Sequence, residues 1–532
     1  MSIFSLDFAQ SLETQEKQSE SKLRQSLVYK PDDFEVWLEL IKEVEKYSSP
    51  EKNKSIYQEF LEEFPQYYPV WRKLAEAYNA LEDYEMVACT YEEGLKYLPV
   101  SVDLWLHYCI WKASRGPQEE ARSLYQKAVA ACGKVYNSSI LWDKYLDFEK
   151  SLKNYQNMEM VFSALMTFPT NKLYEYYTRF KNFLDQFGRE ILDYQTPEEY
   201  DQARKLKLEE IISNYEKAVI ENNKRKPFEQ SIKRSNFNPK PVDQEQLVNW
   251  RKYCEFEENE GEDLRIKLLY ERCIVALCYY DEFWIRYARY LEKTQGVETA
   301  REVYQRGNKH FLFRKPYLFV SQGYFEELHG NTEEAKKLYK HVYEKVAPGL
   351  LNAVLKHINL ERRNSNFTEV ENLYQKALEV AENEGKPETI ALIASHYGRF
   401  YQNIMKNPNK AIEVFESALE KAPGEKSLYL ILVNAYKNSD RTQEITNVYE
   451  KAIWSTELPQ RAKVEFWVGY IDFVRSTCED KEKLREAEEN FRLNFHHEDL
   501  LIEEFKKASG IKRMQRSATY EYPEPIKQQQ LI

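Results

Sequence analysis

Between Trp250 and Gly307 the chain writes one pattern twice, with Trp250 and Trp284 standing 34 residues apart. Trp250, Tyr253, Phe256 and Glu257 superpose on Trp284, Tyr287, Tyr290 and Leu291. Further on, Leu269-Tyr270-Glu271-Arg272-Cys273 falls on Val303-Tyr304-Gln305-Arg306-Gly307. Aromatics at i, i+3 and i+6 mark one stripe of a helix, and the second cluster, beyond a polar break, marks a second helix. A helix pair of this length cannot bury its apolar stripes alone, so copies must stack. The spacing therefore predicts an all-α fold: a right-handed α-solenoid of about twelve helix-pair units in two arcs.

Composition agrees. A chain of 532 residues exceeds one ordinary core. Only 15 glycines against 14 % aromatics disfavours β-rich and Gly-rich nucleotide folds. A mean hydropathy of -0.72 suits stacked amphipathic helices, which expose much polar surface. The formal charge of -11 speaks against a general nucleic-acid binder, so any RNA contact needs a local basic patch. The seven cysteines form no C-x-x-C pair and read as small buried residues of a reducing compartment. No apolar run long enough for a membrane helix occurs, and the amino terminus carries no signal-peptide pattern.

Taken in order, residues 1–22 read as a flexible start, with Phe4, Leu6 and Phe8 able to dock on the first repeat. Residues 23–221 form a first arc, in which Trp37, Trp71, Trp105 and Trp142 open successive A-helices and Pro65, Pro99 and Pro169 follow B-helices. A fifth unit from Leu173 is irregular, its B-helix motif Tyr215-Glu216-Lys217-Ala218 arriving late. Residues 222–243, carrying Pro227, Pro239 and Pro241, are expected to be a basic linker and domain boundary. Residues 244–509 form the second arc, with units opening near Trp250, Trp284, Phe319, Leu360, Tyr397, Leu428 and Trp467, and 510–532 form a flexible tail.

Trp-x-x-Tyr opening helix A, an acid near its end, and Tyr-Glu-Arg-Cys in helix B resemble the half-a-TPR (HAT) repeat of RNA-processing scaffolds. The stretch from Phe237 through Pro239, Pro241, Leu247 and Trp250 to Glu257 is similar to the central segment of the pre-mRNA-processing factor 39 family. So are Leu269 to Cys273, Tyr280 to Ala288 and, more weakly, Leu360 to Arg363. That resemblance implies a nuclear splicing scaffold working with proteins of the U1 small nuclear ribonucleoprotein, and with U1 RNA as a further contact, at 5′ splice sites. It also implies a dimer through the carboxyl-terminal repeats, with itself or a paralogue. Two alternatives stand beside it: a HAT scaffold of 3′-end cleavage or of the spliceosome core, and a tetratricopeptide-type adaptor.

No catalytic constellation is visible in the sequence, so no enzyme activity, cofactor, metal or small-molecule substrate is expected. Lys224, Arg225, Lys226, Lys233, Arg234 and Lys240 face one acid, Glu229, within residues 222–241. They are candidates for an RNA-backbone or acidic-partner contact, with Phe228 and Phe237 available for stacking. The alternative, which is favoured, is a solvated linker paired with neighbouring acids and pinned by Phe228, Ile232 and Phe237. A second cluster, Lys506, Lys507, Lys512, Arg513 and Arg516, could act likewise or as an import signal. Phe466, Trp467, Tyr470, Phe473 and Phe491 are candidates for the dimer interface, since a solenoid end so apolar needs a cover. Arg272 and Arg306 are expected to bond the acidic end of a neighbouring A-helix and to set repeat geometry.

Overall fold

The structure, a computed structural model, describes residues 19–47, 49–477 and 481–494, and these contain helices but no strand. They fall into two compact units, one ending at Phe313 and the other starting at Arg314. In the first unit a helical stretch over 19–29 (α1) precedes α2 (Phe34–Tyr47), α3 (Pro50–Glu63), α4 (Tyr68–Ala80), α5 (Tyr84–Tyr97), α6 (Val102–Arg115) and α7 (Gln118–Cys132). There follow α8 (Ser139–Ser151), α9 (Tyr155–Leu165), α10 (Leu173–Ile191), α11 (Pro197–Ser231), α12 (Gln244–Glu260), α13 (Asp263–Ala276), α14 (Asp281–Thr294) and α15 (Val297–Arg306). The second unit holds α16 (Pro316–Leu328), α17 (Thr332–His341), α18 (Leu351–Arg363), α19 (Phe367–Asn383) and α20 (Pro387–Asn403). It continues through α21 (Pro408–Lys421), α22 (Lys426–Lys437), α23 (Thr442–Ile453), α24 (Gln460–Thr477) and α25 (Lys481–Asn494). From α2 onward these are twelve A/B pairs, the number the repeat spacing predicts.

Three small devices recur among the pairs. The turn from helix A to helix B is made by one left-handed residue, as at Glu82, Lys153, Ser365, Lys406 and Asp440. It is followed by a capping position such as Asp83, Asn154 or Asn407, whose side chain accepts a backbone N–H of the first turn. The return from helix B to the next helix A is closed by the A-helix tryptophan. The Trp37, Trp71 and Trp105 indole N–H groups donate to the carbonyls of Pro31, Pro65 and Pro99, each at 2.8 Å. Trp284 bonds Cys278 at 3.0 Å, and the Tyr429 hydroxyl takes over this role on Pro423 at 3.0 Å. Proline thus stops helix B and presents its carbonyl six residues ahead of the ring.

Between pairs, the B-helix tyrosine stacks on the A-helix tyrosine of the following unit. Tyr91–Tyr108, Tyr125–Tyr145, Tyr270–Tyr287 and Tyr374–Tyr397 have ring centroids 5.0, 5.0, 4.9 and 4.7 Å apart. Such offset pairs add about 0.5–1.5 kcal/mol beyond the area they bury. One apolar cluster consequently runs from Leu106 to Leu268 in the first unit and another from Val354 to Phe491 in the second.

The fifth unit is the irregular one: α10 has 19 residues and α11 has 35. The linker expected from residue 222 is instead helical as far as Ser231, straight through Pro227. Proline inside a helix removes one backbone bond, but side-chain bonds on both sides hold this turn. Arg225 before it reaches Glu257 at 2.7 and 2.9 Å, and Glu229 after it reaches Arg272 at 2.7 Å. Residues 232–243 then form a strap whose Phe237 ring sits 5.7 Å from Phe34 and 5.8 Å from Tyr279. That strap lies inside the first unit, and the chain divides between the two compact units 70 residues beyond it, after Phe313.

Close packing also selects small residues. A Cβ added to Gly398 on α20 would lie 2.0 Å from Phe415 Cζ, against 3.7 Å for the nearest atom to one on Gly424. Gly398→Ala is therefore expected to destabilise the second unit by at least about 1–3 kcal/mol. Gly424→Ala should stay within about 0.5 kcal/mol. Unfolding of both variants in urea checks this, and similar midpoints would contradict the packing described.

Candidate functional site

Chemistry-bearing side chains concentrate where one repeat meets the next. At the end of α11, Glu229 accepts Arg272 Nη1 and Nη2 at 2.7 and 2.9 Å and the Tyr253 hydroxyl at 2.9 Å. The Arg272 guanidinium also lies 6.0 Å from the Trp250 ring. One repeat later, Glu271 takes Glu229's place, accepting Arg306 Nη2 at 2.8 and 2.9 Å and the Tyr287 hydroxyl at 3.0 Å. Arg306 sits 5.6 Å over Trp284. Both arginines bridge neighbouring repeats, but on a B-helix glutamate of the preceding unit rather than on the end of an A-helix.

The A-helix acid has a different partner. Glu149 is bonded by Arg122 at 2.8 and 3.1 Å, Glu257 by Arg225, and Glu361 by Lys336 at 3.1 Å. In all three cases the cation comes from the preceding B-helix. Burial alone would push the Glu229 carboxyl up, but Arg272 and the Tyr253 hydroxyl outweigh it and hold the group below its ordinary value. These ions are spent on one another. Among the described residues no group of three or more His, Cys, Asp or Glu could hold a metal ion.

The six basic candidates separate. Arg225 is buried in its ion pairs, so it is excluded as an RNA contact. Lys224 pairs with Glu260 at 3.1 Å, and Lys240 pairs with Glu35 at 3.2 Å. Arg234 is half-buried and donates to the Lys240 carbonyl at 2.6 Å. Lys226 and Lys233 are exposed. The two rings proposed for stacking are also occupied. Phe228 lies 5.2 and 4.8 Å from Tyr253 and Phe256, and Phe237 is buried among Phe34, Phe64, Tyr67 and Tyr279. The segment is part helix and part strap, held by these rings, with Lys226 and Lys233 at its surface.

The five interface candidates are placed inside the chain. Phe466, Trp467, Phe473 and Phe491 are buried in the second unit's core, and Tyr470 packs against it half-buried. Trp467 rests 6.0 Å from Phe491 of α25, which supplies the cover that the sequence seemed to lack. None of the four buried rings is presented to a partner. Exposed instead, and not singled out by pattern, are Trp454 at the end of α23 and Leu493 on α25, at 60 % and 68 %. The Lys506, Lys507, Lys512, Arg513 and Arg516 cluster, Phe4, Leu6, Phe8 and Cys478 lie outside the described residues. Of the other cysteines, Cys89 is exposed, contrary to the buried reading, and five are buried.

A groove of about 640 Å³ opens in the second unit between α17 and α19, floored by Val354, His357 and Glu361 of α18. His357 Nε2 is 3.4 Å from Glu361 Oε1, and its Nδ1 is 3.1 Å from the Tyr343 hydroxyl.

Two family models match stretches of this repeat pattern. The PRP39 N-terminal HAT repeat matches residues 21–182, and the PRP39 C-terminal HAT repeat matches residues 223–363. Pre-mRNA-processing factor 39 of Xenopus laevis is 30 % identical over 523 residues, covering 88 % of this chain and 79 % of its own. The chain belongs to the PRP39 family. The human relative of the same name is 28 % identical over 522 residues, covering 88 % of this chain and 77 % of its own. The Schizosaccharomyces pombe relative is 31 % identical over 402, covering 68 % and 65 %. Among solved structures, CstF-77 is similar in fold, with a TM-score of 0.53 at 14 % identity over 86 % of this chain and 91 % of that one. The PRP39 family assignment and this likeness agree on an all-α solenoid of HAT repeats.

Two outcomes follow from the ionic contacts. Removing one partner of a buried pair strands the other, at about 3–5 kcal/mol, whereas replacing both by apolar groups is often neutral. Arg272→Met alone should therefore destabilise the first unit by that amount in urea, and Arg272→Met with Glu229→Leu should recover most of it. Equal losses in the single and double variants would rule out the pair as the cause. His357 is held below its ordinary value by burial, with Glu361 opposing. Its neutral form is the stable one when folded, so its contribution is full above the ordinary histidine value near ~6.5 and is lost as pH falls below it. His357→Phe should flatten the fall in melting temperature of the second unit between about pH 7 and 5.5; an unchanged slope would refute the assignment.

Proposed function

We propose that this chain is a non-catalytic nuclear scaffold of pre-mRNA splicing that works with the U1 small nuclear ribonucleoprotein in 5′ splice-site recognition. The names of the relatives support the splicing role. One structural observation supports scaffolding over chemistry: the buried charged groups form closed pairs at repeat junctions, as at Glu229–Arg272, Glu271–Arg306 and Glu257–Arg225. Side chains closed on one another in this way hold helices in place, each carboxylate already committed to an arginine. What they hold in place is a long series of helix faces on which partner proteins can dock.

The second part of the proposal is pairing, with another copy or a paralogous HAT protein, through the last repeats. Exposed Trp454, 6.2 Å from the buried Trp467 ring, together with exposed Leu430 and Leu493, marks apolar surface there. Large exposed apolar groups close to a core are suited to burial against a partner. Trp467 and Phe473 themselves would give an unfolded last repeat, not a folded monomer, if replaced by Glu.

Gentle purification of the tagged protein from its native cells, with sequencing of the attached RNA, tests the first part. U1 RNA should be enriched over the other spliceosomal RNAs, and enrichment of those others would move the scaffold to another complex. Sedimentation tests the second part: Trp454→Glu should lower the mass from dimer to monomer with helicity unchanged. A dimer mass retained in that variant would exclude this surface.

A further inference from the structure

Each regular A-helix turns one stripe outward, at the residues two before, two after and five after its tryptophan position. Phe319, Val354, Ala394 and Tyr429 stand at that position in α16, α18, α20 and α22. In these four helices every residue of the stripe is exposed or half-buried. Within the second unit α16 packs beside α18, and α20 beside α22, so the stripes of each pair lie side by side.

The charge of this stripe changes along the chain. In α2, α4, α6, α8, α12 and α14 it carries Glu35, Glu76, Asp103, Asp147, Glu255 and Glu282 in turn, and in α24 it carries Glu465 and Asp472. In α16, α18, α20 and α22 it carries no acid at all, within a chain whose net charge is -11. The acids these helices do have lie off the stripe. Glu326 and Glu361 are buried, Glu327 is bonded by Arg363, and Glu388 sits in the first turn of α20. On the stripe itself stand Lys356 and Arg399, neither with a carboxylate partner among the described residues. The side-chain amides of Asn352, Asn359 and Asn434 likewise have no hydrogen bond among the described residues. Tyr317 and Tyr324 are 55 % and 45 % exposed, and Lys356 Nζ lies 5.1 Å from the centre of the Tyr324 ring. The face thus combines cations, open amides and exposed rings, with no carboxylate among them.

We propose that the A-helix face of the second unit binds single-stranded RNA directly, with Lys356 and Arg399 on phosphates, Tyr317 and Tyr324 against bases, and the asparagines on base edges. Unpaired bases stack on aromatic side chains and offer their edges to amides, which donate and accept at once. An RNA duplex keeps those edges in a groove too narrow for side chains to read. An acidic peptide would use the two cations and leave the rings and amides idle. With only two cations engaged, charge supplies a modest share of the affinity, and stacking the larger one. The inference does not depend on which ribonucleoprotein the chain joins.

Fluorescence anisotropy of a labelled uridine dodecamer titrated with the full chain tests this. Micromolar binding is expected at about 50 mM salt, weakening about five- to tenfold at about 200 mM, the slope for two phosphates neutralised on a single strand. Lys356→Glu with Arg399→Glu should weaken binding about tenfold or more with helicity retained, and so should Tyr317→Ala with Tyr324→Ala. Lys226→Glu with Lys233→Glu, the same charge change on exposed lysines of the first unit, should leave binding unaltered. Absence of binding, an equal loss in that charge-matched variant, or full competition by an octaglutamate peptide would overturn the proposal. A sedimenting mass altered by Lys356→Glu with Arg399→Glu would give this face to a second copy and overturn it too.

Discussion

The contact on which everything else in this molecule depends is the one between a B-helix tyrosine and the A-helix tyrosine of the next unit. A helix pair of 34 residues has too little interior to stand alone, so its stability is borrowed from its neighbour. The ring stack supplies an apolar contact of fixed geometry: 4.7 Å at Tyr374–Tyr397 and 5.0 Å at Tyr125–Tyr145, far apart in the sequence. Around the stack the protein adds polar closures suited to each junction. In the last repeats of the first unit these are the Glu229–Arg272 and Glu271–Arg306 pairs, each completed by a tyrosine hydroxyl from an adjoining helix. The order of operations is physical. Apolar stacking brings the helices together, and the low dielectric it creates makes an unpaired ion costly, which forces the charges to close on one another.

Much of this could be read before any coordinates. The tryptophan spacing, the helix-pair unit and the number of pairs follow from periodicity, because position in a helix stripe is a local property. What periodicity left open was which stripe meets which. Trp-x-x-Tyr and Tyr-Glu-Arg were both visible, but their stacking across units, and the choice of a B-helix glutamate by Arg272, depend on register between neighbours. Proline-rich segments misled in the opposite direction. Pro227 reads as a helix stop, yet the helix passes it because Arg225 and Glu229 are anchored on either side by residues 32 and 43 positions away. The apolar end at Phe466 and Trp467 likewise looked uncovered because its cover, α25, carries only a few large apolar residues, Leu484 and Phe491 among them.

The functional consequence is a division of labour. Aromatic and ionic groups are used up in holding repeats, and what stays open on the surface includes exposed Trp454 and the groove over His357. In the first unit, the strap matters beyond its own contacts. Phe237 touches Phe34 and Tyr67 of the first repeats as well as Tyr279 of a later one, so residues distant in the array share one aromatic cluster. A repeat array otherwise couples only nearest neighbours, and this cluster gives the first unit a long-range tie.

Native-state hydrogen exchange of the whole chain in low urea tests the central claim most directly, because it reads the stability of each helix separately. The comparison is between the natural chain and Tyr125→Leu, which removes one stacked ring while keeping an apolar side chain. Coupling through stacked neighbours predicts faster exchange in α6 to α9, on both sides of the altered junction, and no change in α20 to α23. Faster exchange confined to α7 alone, or spread evenly through both units, would contradict it.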